Sequence, residues 1–519
     1  MRRIAALLIA SVVLAGCRPG VTAPSPSPAS LGGVLRVAIP GEVTTLDPWN
    51  ADAAALVATR QVFETLVAFA PGGYQLVPGL AEAWQSSPDG LRWTFTLRVG
   101  VRFHDGAPLD AASVVASFER ARSTRDARRG PGAFVSYRAL FGGFDDESVI
   151  ARVDAVDART VRFELRTGYG PFLAHLAMPP AAVARGTAGT GPFSAGPGAV
   201  APDATVTLQR NAAYRGRDAS GAALPYVDGI VLRPLADPAA RLTELRAGRV
   251  DLALDLGVAQ AAAARGDPSL GLVVRRDASF ASLAIDASRT PFDRPEVRRA
   301  VALSIDRAAI STAVYLGLAR AAPQVVPPAA LGYDETAIEF APFDVTAARK
   351  LLTDAGLTSP IDAELGFPAT ATGTYPEPQR IASAVAADLA KIGISARPRA
   401  VEPSLPRGAS APALQLEATA IAADPDDVFT PLFAPRSERG ASWGWQQPVA
   451  SDLIAKARAE SDPTKRAELY KQVSKIVRAE VPRVPLLFVD RAGAASRRVA
   501  GYAPGASGTE SFAMVFLRR

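Results

Sequence analysis

Cysteine and histidine are scarce in this chain. Its 519 residues include one cysteine, Cys17, and two histidines, His104 and His175. A single cysteine excludes internal disulfide bonds and a zinc cluster built on thiolates. The two histidines match no metal-binding spacing such as H-E-x-x-H, so the sequence predicts neither a metal site nor a cofactor.

Concentrated charge and long apolar runs are also lacking. Lysine and arginine total 57 against 51 acidic residues, and acids interrupt the arginine-rich stretches 120–129 and 294–307. A nucleic-acid-binding surface would instead gather basic residues on one face, with aromatics among them, so we expect no nucleic acid partner. After the N-terminal segment, no uncharged apolar run reaches the ~20 residues that a membrane-spanning helix needs.

The N-terminus has the pattern of an export signal. Arg2 and Arg3 precede a short apolar stretch, 4–14, which is followed by the small residues Ala15 and Gly16. This order of charged, apolar and small residues predicts that residues 1–16 are a signal peptide. The apolar stretch is too short to stay in the membrane as a helix.

Residues 14–17, Leu-Ala-Gly-Cys, resemble a bacterial lipobox. The resemblance implies that Cys17 becomes the lipidated first residue of the mature protein; the alternative is a soluble secreted protein with an incidental cysteine. Residues 18–31 are rich in proline, serine and alanine, and such a composition cannot bury a core. We therefore expect residues 17–31 to form a lipidated, flexible tether to the membrane.

Strand and helix patterns alternate from residue 32 onward. Val34–Ile39 and 91–101 have strand patterns, and Asp110 is placed to cap a helix that ends at Arg122. Further helices are predicted at 54–68, 295–316 and 463–480, and a short apolar strand at 484–489. This alternation, without an internal repeat, predicts an α/β or α+β protein.

Residues 80–120 carry the most specific motif of the chain: LAEAWQSSPDGLRWTFTLRVGVRFHDGAPLDAASVVASFER. In this stretch, and in GTGPF at 189–193 and PFDRPEVRRAVALSIDR at 291–307, the chain resembles the extracellular solute-binding proteins of peptide, nickel and opine ABC importers, bacterial solute-binding family 5. The likeness covers nearly the whole chain from Gly32. His104 belongs to the FHDG part of this motif, where we predict that it stabilises a turn.

The resemblance implies a periplasmic-binding-protein-like α/β fold of cluster C type with class II topology. Two lobes would surround a ligand cleft: a discontinuous lobe I (32–76, 186–276 and 486–519) and lobe III (277–485), with an additional domain II (77–185). A monomer anchored to the outer face of the cell membrane, or periplasmic, would close its lobes on a small solute. It would then deliver that solute to ABC permease and ATPase subunits.

Candidate ligand-binding residues lie in three segments. Thr45, Leu46 and Trp49 belong to the loop after the first predicted strand. The segment around Ile421 and Asp424 borders the ligand cleft in the resembled family. Peptide binders of that family place an aspartate at the position of Ile421 to pair with the ligand's amino terminus. An isoleucine cannot make that charge-assisted bond, which favours a blocked or modified peptide or another solute.

Trp443 and Trp445 form the third candidate segment. Aromatic side chains in a glycine-rich loop are often packing residues, and the alternative is a stacking wall in the ligand cleft. Opine, sugar and nickel-chelate ligands remain open beside peptides.

Two other classes of function are compatible with parts of the sequence. Residues 440–444 match G-x-S-x-G, so a serine hydrolase would use Ser442, but both flanks have loop composition where that motif needs a strand and a helix. We therefore expect no enzymatic activity. A sensor or adhesion lipoprotein with the same fold, without transport, is the other alternative.

Overall fold

The structure is a computed structural model. It describes residues 31–70, 73–336, 340–357, 360–402, 411–420, 424–434, 443–505 and 511–518. The predicted signal peptide and tether, including Cys17, lie outside these residues, as do Ile421 and Ser442. None of the helices within the described residues is long and apolar enough to cross a bilayer.

The strands of the described residues are mostly short, but two of them are unusually long. In chain order they are β1 (Val34–Ile39), β2 (Val67–Phe69), β3 (Leu76–Pro78), β4 (Ala81–Ser86), β5 (Arg92–Leu97), β6 (Ile150–Ala155), β7 (Thr160–Leu165), β8 (Phe193–Ser194), β9 (Val206–Arg210), β10 (Gly229–Pro234), β11 (Leu252–Leu256), β12 (Leu270–Ile285), β13 (Ala319–Ala321), β14 (Ile361–Pro368), β15 (Ile394–Val401), β16 (Leu414–Ala420), β17 (Arg483–Ser496), β18 (Val499–Ala500) and β19 (Phe516–Leu517).

The helices alternate with these strands. They are α1 (Ala53–Val62), α2 (Ala111–Arg122), α3 (Val135–Phe141), α4 (Phe172–Leu176), α5 (Pro238–Arg246), α6 (Val258–Arg265), α7 (Pro295–Ser304), α8 (Arg307–Tyr315), α9 (Val345–Asp354), α10 (Pro378–Ala390), α11 (Asp426–Phe433), α12 (Pro448–Ala459) and α13 (Pro463–Glu480). Short 3-10 turns lie at Pro48–Asn50, Asp145–Glu147 and Pro179–Ala181.

One 11-stranded mixed sheet extends through both lobes, in the order β15-β14-β16-β12-β17-β11-β1-β10-β9-β8, with β13 paired to β17. In lobe I, β1 is parallel to β10 and β11. In lobe III, β14 is parallel to β15 and β16. Buried side chains pack on the sheet in each lobe, so the two lobes have separate hydrophobic cores.

Among the strands of the described residues, β12 and β17 are the two that connect the halves of this sheet, and we call them the crossing strands. The first half of β12, Leu270–Arg275, pairs with β17 in lobe I, and its second half, Ser279–Ile285, pairs with β16 in lobe III. The register shifts between Arg275 and Ser279, where the chain passes from one lobe to the other. The boundary predicted at 276/277 falls in this shift, and the one predicted at 485/486 falls inside β17.

Domain II is built on a separate antiparallel sheet, ordered β4-β5-β7-β6. Alternation of apolar and polar residues in β5 and β7 buries one face of this sheet against α2. Its core also includes Trp49, Leu66, Val67 and Phe69, which lie within the range assigned to lobe I. Packing therefore joins part of the 32–76 segment to domain II.

Several predicted elements have different bounds in the structure. The predicted helix 295–316 is two helices, α7 and α8, because Ile305 is extended and the Asp306 carboxylate accepts a bond from Ala309 N at 2.8 Å to start a new helix. The helix predicted at 54–68 ends at Val62. The strand predicted at 484–489 extends from Arg483 to Ser496, because its second half is buried between two neighbouring strands of lobe I.

Candidate ligand-binding site

The carboxyl ends of three lobe I strands meet at one edge of the large sheet. Pro40 follows β1, Pro238 lies four residues after the end of β10, and Asp255 is the second-last residue of β11, just before α6. Because β1, β10 and β11 are parallel, the segments that follow them lie side by side. Crevices at this end of parallel strands are common ligand sites in α/β proteins.

Arg241 holds two of these segments together. It projects from α5, is almost fully buried, and donates from Nη1 to Ala236 O at 2.9 Å and from Nη2 to Asp255 O at 2.6 Å. A guanidinium group has five donors in one plane, so a single side chain can bridge several carbonyl groups. Arg241 therefore fixes the backbone after β10 against the end of β11.

A cavity of about 690 Å³ lies between these segments and lobe III, and we call it the interlobe cavity. Ligand pockets for small molecules typically have volumes of about 300–1,000 Å³. The lobe I wall comprises Pro40, Pro238 and residues 255–260. The lobe III wall comprises Ala313, Val314, Leu316, Leu318, residues 371–373, Pro376, Glu377 and Arg380. Val489, Asp490 and Arg491 of β17 lie between the two walls.

Most of the cavity wall is apolar, and its charged side chains occur beside opposite charges. Nη1 of Arg491 lies 3.6 Å from Oδ2 of Asp255, and Nη1 of Arg380 lies 3.1 Å from Oε2 of Glu377. Asp490 is buried and accepts a bond from Arg276 at 2.7 Å. An apolar cavity with a few charged groups suits an organic solute with a small number of polar groups.

Domain II contacts lobe III directly beside Asp424. Gly170 N donates to Arg458 O at 2.6 Å, and the Arg458 guanidinium lies 5.2 Å from the centre of the Tyr169 ring. His175 of α4 donates from Nε2 to Oδ1 of Asp427 at 3.0 Å. These two hydrogen bonds and one cation–π contact join domain II to lobe III.

His175 has a raised pKa in this contact, which favours its charged form. Its burial disfavours the charged form, but the carboxylates of Asp427 and Asp424 outweigh burial and raise the pKa of His175 to about 9. Nδ1 lies 2.8 Å from Leu140 O and 2.9 Å from the Tyr169 hydroxyl, so the charged ring finds acceptors on both sides. His175 and Asp427 thus form an ion pair between domain II and lobe III, with His175 buried and Asp427 half-buried.

The first candidate segment does not line the interlobe cavity. Trp49 is fully buried in the domain II core, with its ring edge-on to Phe118 at 5.6 Å and Tyr137 at 5.3 Å. Leu46 is half-buried against the lobe I core, and Thr45 Oγ1 accepts a bond from Asp47 N at 3.0 Å. In this structure Trp49 packs in the domain II core.

Asp424 is engaged in a buried ion pair. Its two carboxylate oxygens accept bonds from Arg466 at 2.7 and 2.8 Å, and both side chains are buried. Burial acts against the charged guanidinium, but the bonds to Asp424 raise the pKa of Arg466. Both oxygens accept bonds within lobe III, and Asp424 is not among the residues that line the interlobe cavity.

Trp443 and Trp445 are buried as well. Trp443 Nε1 donates to Glu417 at 3.2 Å, and Trp445 Nε1 donates to Glu480 at 2.7 Å. Both indole rings are part of the packing of lobe III, with Trp445 edge-on to Phe433 at 5.9 Å. The packing interpretation therefore describes these two residues in the present conformation.

His104 joins the turn of its FHDG motif to the turn at 189–191, in agreement with the predicted turn-stabilising role. Its Nε2 donates to Gly191 O at 3.1 Å and its Nδ1 accepts from Gly189 N at 3.2 Å. Burial lowers the pKa of His104, in agreement with a neutral ring that donates on one side and accepts on the other.

Sequence reasoning missed the residues that line the interlobe cavity. Asp255 and Arg491 lie in apolar strands far apart in the chain, where single charged residues give no motif. One signal was present: Asp255 interrupts the apolar run of β11. A charged residue in such a strand costs free energy unless it is paired or hydrogen-bonded. The approach of Arg491 to Asp255 comes from the pairing of β11 with β17.

Known proteins with similar sequences and structures share this architecture. The family model described as "Bacterial extracellular solute-binding proteins, family 5 Middle" matches residues 75–440. Di/tripeptide-binding protein 2 of Pseudomonas aeruginosa is 30% identical over 493 residues, which are 89% of this chain and 90% of the relative.

Two solved structures extend the likeness to the whole fold. HbpA2 from Haemophilus parasuis superposes with a TM-score of 0.85 at 26% identity, over 94% of this chain and 100% of that one. The periplasmic binding protein DppA from Helicobacter pylori, in complex with the peptide STSA, gives a TM-score of 0.72 at 26% identity over 94% and 99% of the chains.

The two-lobed fold, its interlobe cavity and these likenesses define a solute-binding protein with the periplasmic-binding-protein fold, as predicted. Within that class, the chain belongs to the bacterial extracellular solute-binding proteins of family 5. It is a binding protein and not an enzyme, which removes the serine hydrolase alternative.

Proposed function

We propose that this chain is the substrate-binding lipoprotein of an ABC importer, and that it captures a short peptide or peptide-like solute between lobes I and III. The mature protein is a monomer that is held at the outer face of the cell membrane, or in the periplasm, through Cys17. It hands its solute to permease and ATPase subunits. The division into lobe I, domain II and lobe III at the predicted boundaries is part of this proposal.

The observation that carries the proposal is the interlobe cavity. Its walls come from both lobes and its middle from β17, so a bound solute would contact both lobes and one of the crossing strands. A solute that binds both lobes favours the closed form, because it gains contacts in that form alone. The relative from P. aeruginosa, named for di- and tripeptides, supports a peptide-like solute.

Thermal-shift screening tests the solute class. The purified mature protein is mixed with separate pools of short peptides, opines, sugars and metal chelates. A true ligand stabilises the folded state by mass action, so a pool at about 100 times the dissociation constant adds about 2.7 kcal/mol and raises the melting temperature. We expect the peptide pool to give the largest shift; no shift from any pool would contradict the proposal.

Lipid attachment is tested separately from solute binding. We expect the wild-type chain to incorporate labelled palmitate and to fractionate with membranes, and the Cys17→Ser variant to do neither. Solute affinity of the two proteins should be equal, because the tether precedes the ordered domain. Membrane association of Cys17→Ser without label would contradict the anchor at Cys17.

Transport distinguishes an importer from a sensor or adhesion lipoprotein. Cells that lack the chain should lose uptake of the solute found by the screen, and a plasmid copy should restore it. Binding without any effect on uptake would favour the sensor alternative.

A further inference from the structure

Domain II and lobe III contact each other although neither continues directly into the other. In the proposed division, both ends of domain II (77–185) and both ends of lobe III (277–485) lead into segments of lobe I. The crossing strands join lobe III to lobe I. Movement of the lobes about these two strands therefore leaves the contact between domain II and lobe III free to separate.

Domain II is attached to lobe I much more firmly. Val183 N donates to Glu64 O at 2.9 Å, and Trp49 packs in the domain II core. Arg215 of lobe I lies 2.6 Å from Oε2 of Glu64 and also donates to Gly79 O of domain II at 3.3 Å. We therefore expect domain II to move together with lobe I when the lobes open, and its contact with lobe III to break.

The backbone of domain II is fitted closely to lobe III at this contact. A Cβ on Gly168 would lie 2.5 Å from Ala459 O, and one on Gly170 would lie 2.3 Å from Arg466 Nε. Gly170 N donates to Arg458 O at 2.6 Å. Only residues without a side chain allow the backbone to approach another body so closely. The two surfaces are therefore complementary in the present conformation.

Three carboxylates of lobe III lie at the start of α11, and arginines of the same lobe neutralise two of them. These pairs are Asp424 with Arg466 at 2.7 Å and Asp426 with Arg458 at 2.9 Å. The third carboxylate, Asp427, lies 3.0 Å from Nε2 of His175 in domain II. Among the described residues, the cation beside Asp427 is thus supplied from across the contact.

Both ring nitrogens of His175 face acceptors. Nε2 lies beside Asp427 Oδ1, and Nδ1 lies 2.8 Å from Leu140 O. The Tyr169 hydroxyl donates its own proton to Leu140 O at 2.7 Å, so it offers none to Nδ1. A neutral imidazole has one N–H group, whereas the protonated ring has two. The contact therefore has a donor at both positions only when His175 is protonated.

Separation of the two bodies removes the groups that favour this proton. The carboxylates that raise the pKa of His175, Asp427 and Asp424, both belong to lobe III. Its hydrogen-bonding partners in the described part of domain II are the Leu140 carbonyl and the Tyr169 hydroxyl, which are uncharged. The open form therefore binds the proton more weakly than the closed form.

We propose that His175 and Asp427 form a proton-dependent latch, which holds domain II against lobe III and so favours the closed form of the lobes. Closing takes up a proton on His175, and opening releases it. As the pH rises, the closed form loses this contribution, and a solute that requires closed lobes binds more weakly. This inference rests on the domain division in the proposed function and adds regulation by pH to it.

The pH range of the latch follows from His175, whose pKa is raised from 6.5 to about 9 in the contact. The latch is complete below about pH 6.5 and is lost as the pH rises through about 9. The other charged or titratable groups around the ring are Asp424, Asp426, Arg458, Arg466, Tyr169 and Tyr470. Burial also raises the pKa of Asp426, so a histidine variant is needed to assign the effect.

Distances between spin labels test the latch without any solute. Cys17 is the only cysteine of the chain, so a mature protein with Cys17→Ser can be labelled at two chosen positions. Val99→Cys in domain II and Val449→Cys in lobe III are suitable, because both valines are exposed. Pulsed electron paramagnetic resonance gives the distance distribution at half-unit pH steps from 6 to 9.5.

In the labelled protein, we expect the ratio of the short-distance to the long-distance population to fall at least about 10-fold over this range, since a difference of one pKa unit between the two forms changes their ratio about 10-fold. His175→Gln should abolish this change. Asp427→Asn should reduce it, because asparagine keeps an acceptor but not the charge. His104→Gln is the matched control: it removes the other histidine, which lies outside this contact, and should keep the change.

Two outcomes would overturn the inference: equal distance distributions at pH 6 and 9.5 in the labelled protein, or an undiminished pH dependence in His175→Gln. Circular dichroism checks that each variant is folded. Asp427→Asn decides the question by itself if His175→Gln does not fold, and an undiminished pH dependence there has the same meaning. The thermal-shift screen is independent of the latch, so solute binding stands or fails separately.

Discussion

The contact between His175 and Asp427 makes stability depend on pH. The pKa of His175 is raised from 6.5 to about 9, so the ion pair contributes fully below about pH 6.5 and its contribution is lost as the pH rises through about 9. The ionisable groups around it are Asp424, Asp426, Arg458, Arg466, Tyr169 and Tyr470. Burial raises the pKa of both tyrosines, so neither changes charge between about pH 6.5 and 9. The other histidine, His104, has a pKa lowered by burial and stays neutral over the same range.

We expect His175→Gln to lower the melting temperature strongly at pH 6 and much less at pH 9.5, with about 1–3 kcal/mol lost at the lower pH. Melting curves of both proteins at half-unit pH steps check this. Asp427→Asn should flatten the same pH dependence in the wild-type background. Parallel curves for wild type and His175→Gln would show that the histidine is neutral.

The Asp424–Arg466 pair should matter more for stability than for solute binding. Asp424→Ala leaves the buried Arg466 guanidinium without its carboxylate, which costs about 3–5 kcal/mol. Urea unfolding, followed by tryptophan fluorescence, measures the loss. Asp354→Asn is the control: it removes an exposed pair with Lys350 and should cost less than about 0.5 kcal/mol. A stable Asp424→Ala protein that no longer binds solute would return Asp424 to the ligand site.

The break between α7 and α8 depends on the Asp306 cap. Its carboxylate accepts from Ala309 N, and its own N–H donates to Asp388 at 2.9 Å. We expect Asp306→Ala to cost about 1 kcal/mol and Asp306→Asn to cost only a few tenths, since asparagine also caps helices. The shift of the urea midpoint measures both; equal losses would show that the cap does not stabilise this junction.

Tertiary contacts, rather than local sequence, determine where the crossing strand β12 forms. The first half of β12, from Leu270 to Arg275, has no clean alternation of apolar and polar residues, and the sequence does not mark a 16-residue strand there. The strand forms because both of its edges are paired, with β17 along most of its length and β16 along its second half. The local periodicity of apolar residues cannot reveal pairing between β12 and β17, which lie about 200 residues apart in the chain.

Close approach of domain II to lobe III requires glycine at position 170. A Cβ there would lie 2.3 Å from both Arg466 Nε and Glu460 O. We therefore expect Gly170→Val to push the two bodies apart, to weaken solute binding by about 10-fold or more, and to reduce compaction on binding. Small-angle scattering with and without solute measures the compaction.

Gly196→Val is the matched control, because a side chain there meets nothing within 4 Å. It should leave both affinity and compaction unchanged. Normal compaction in Gly170→Val would show that this contact is independent of the bound state.

The sequence alone was sufficient for the fold class and the family, because both depend on local patterns that are continuous in the chain. Asp110 caps α2 as predicted, and α13 has the predicted bounds, since caps, prolines and apolar periodicity act within a few residues. The run 80–120 carries the family likeness in the same local way.

Only the tertiary structure decided which residues meet at the interlobe cavity. Asp255, Gly373 and Arg491 come from three distant segments, and they are brought together by strand pairing and by lobe III facing lobe I. The same packing buries Trp49, Trp443 and Trp445, whose aromatic character suits a ligand wall and a core equally well. Burial depends on what the rest of the chain places beside a side chain, and no local pattern contains that information.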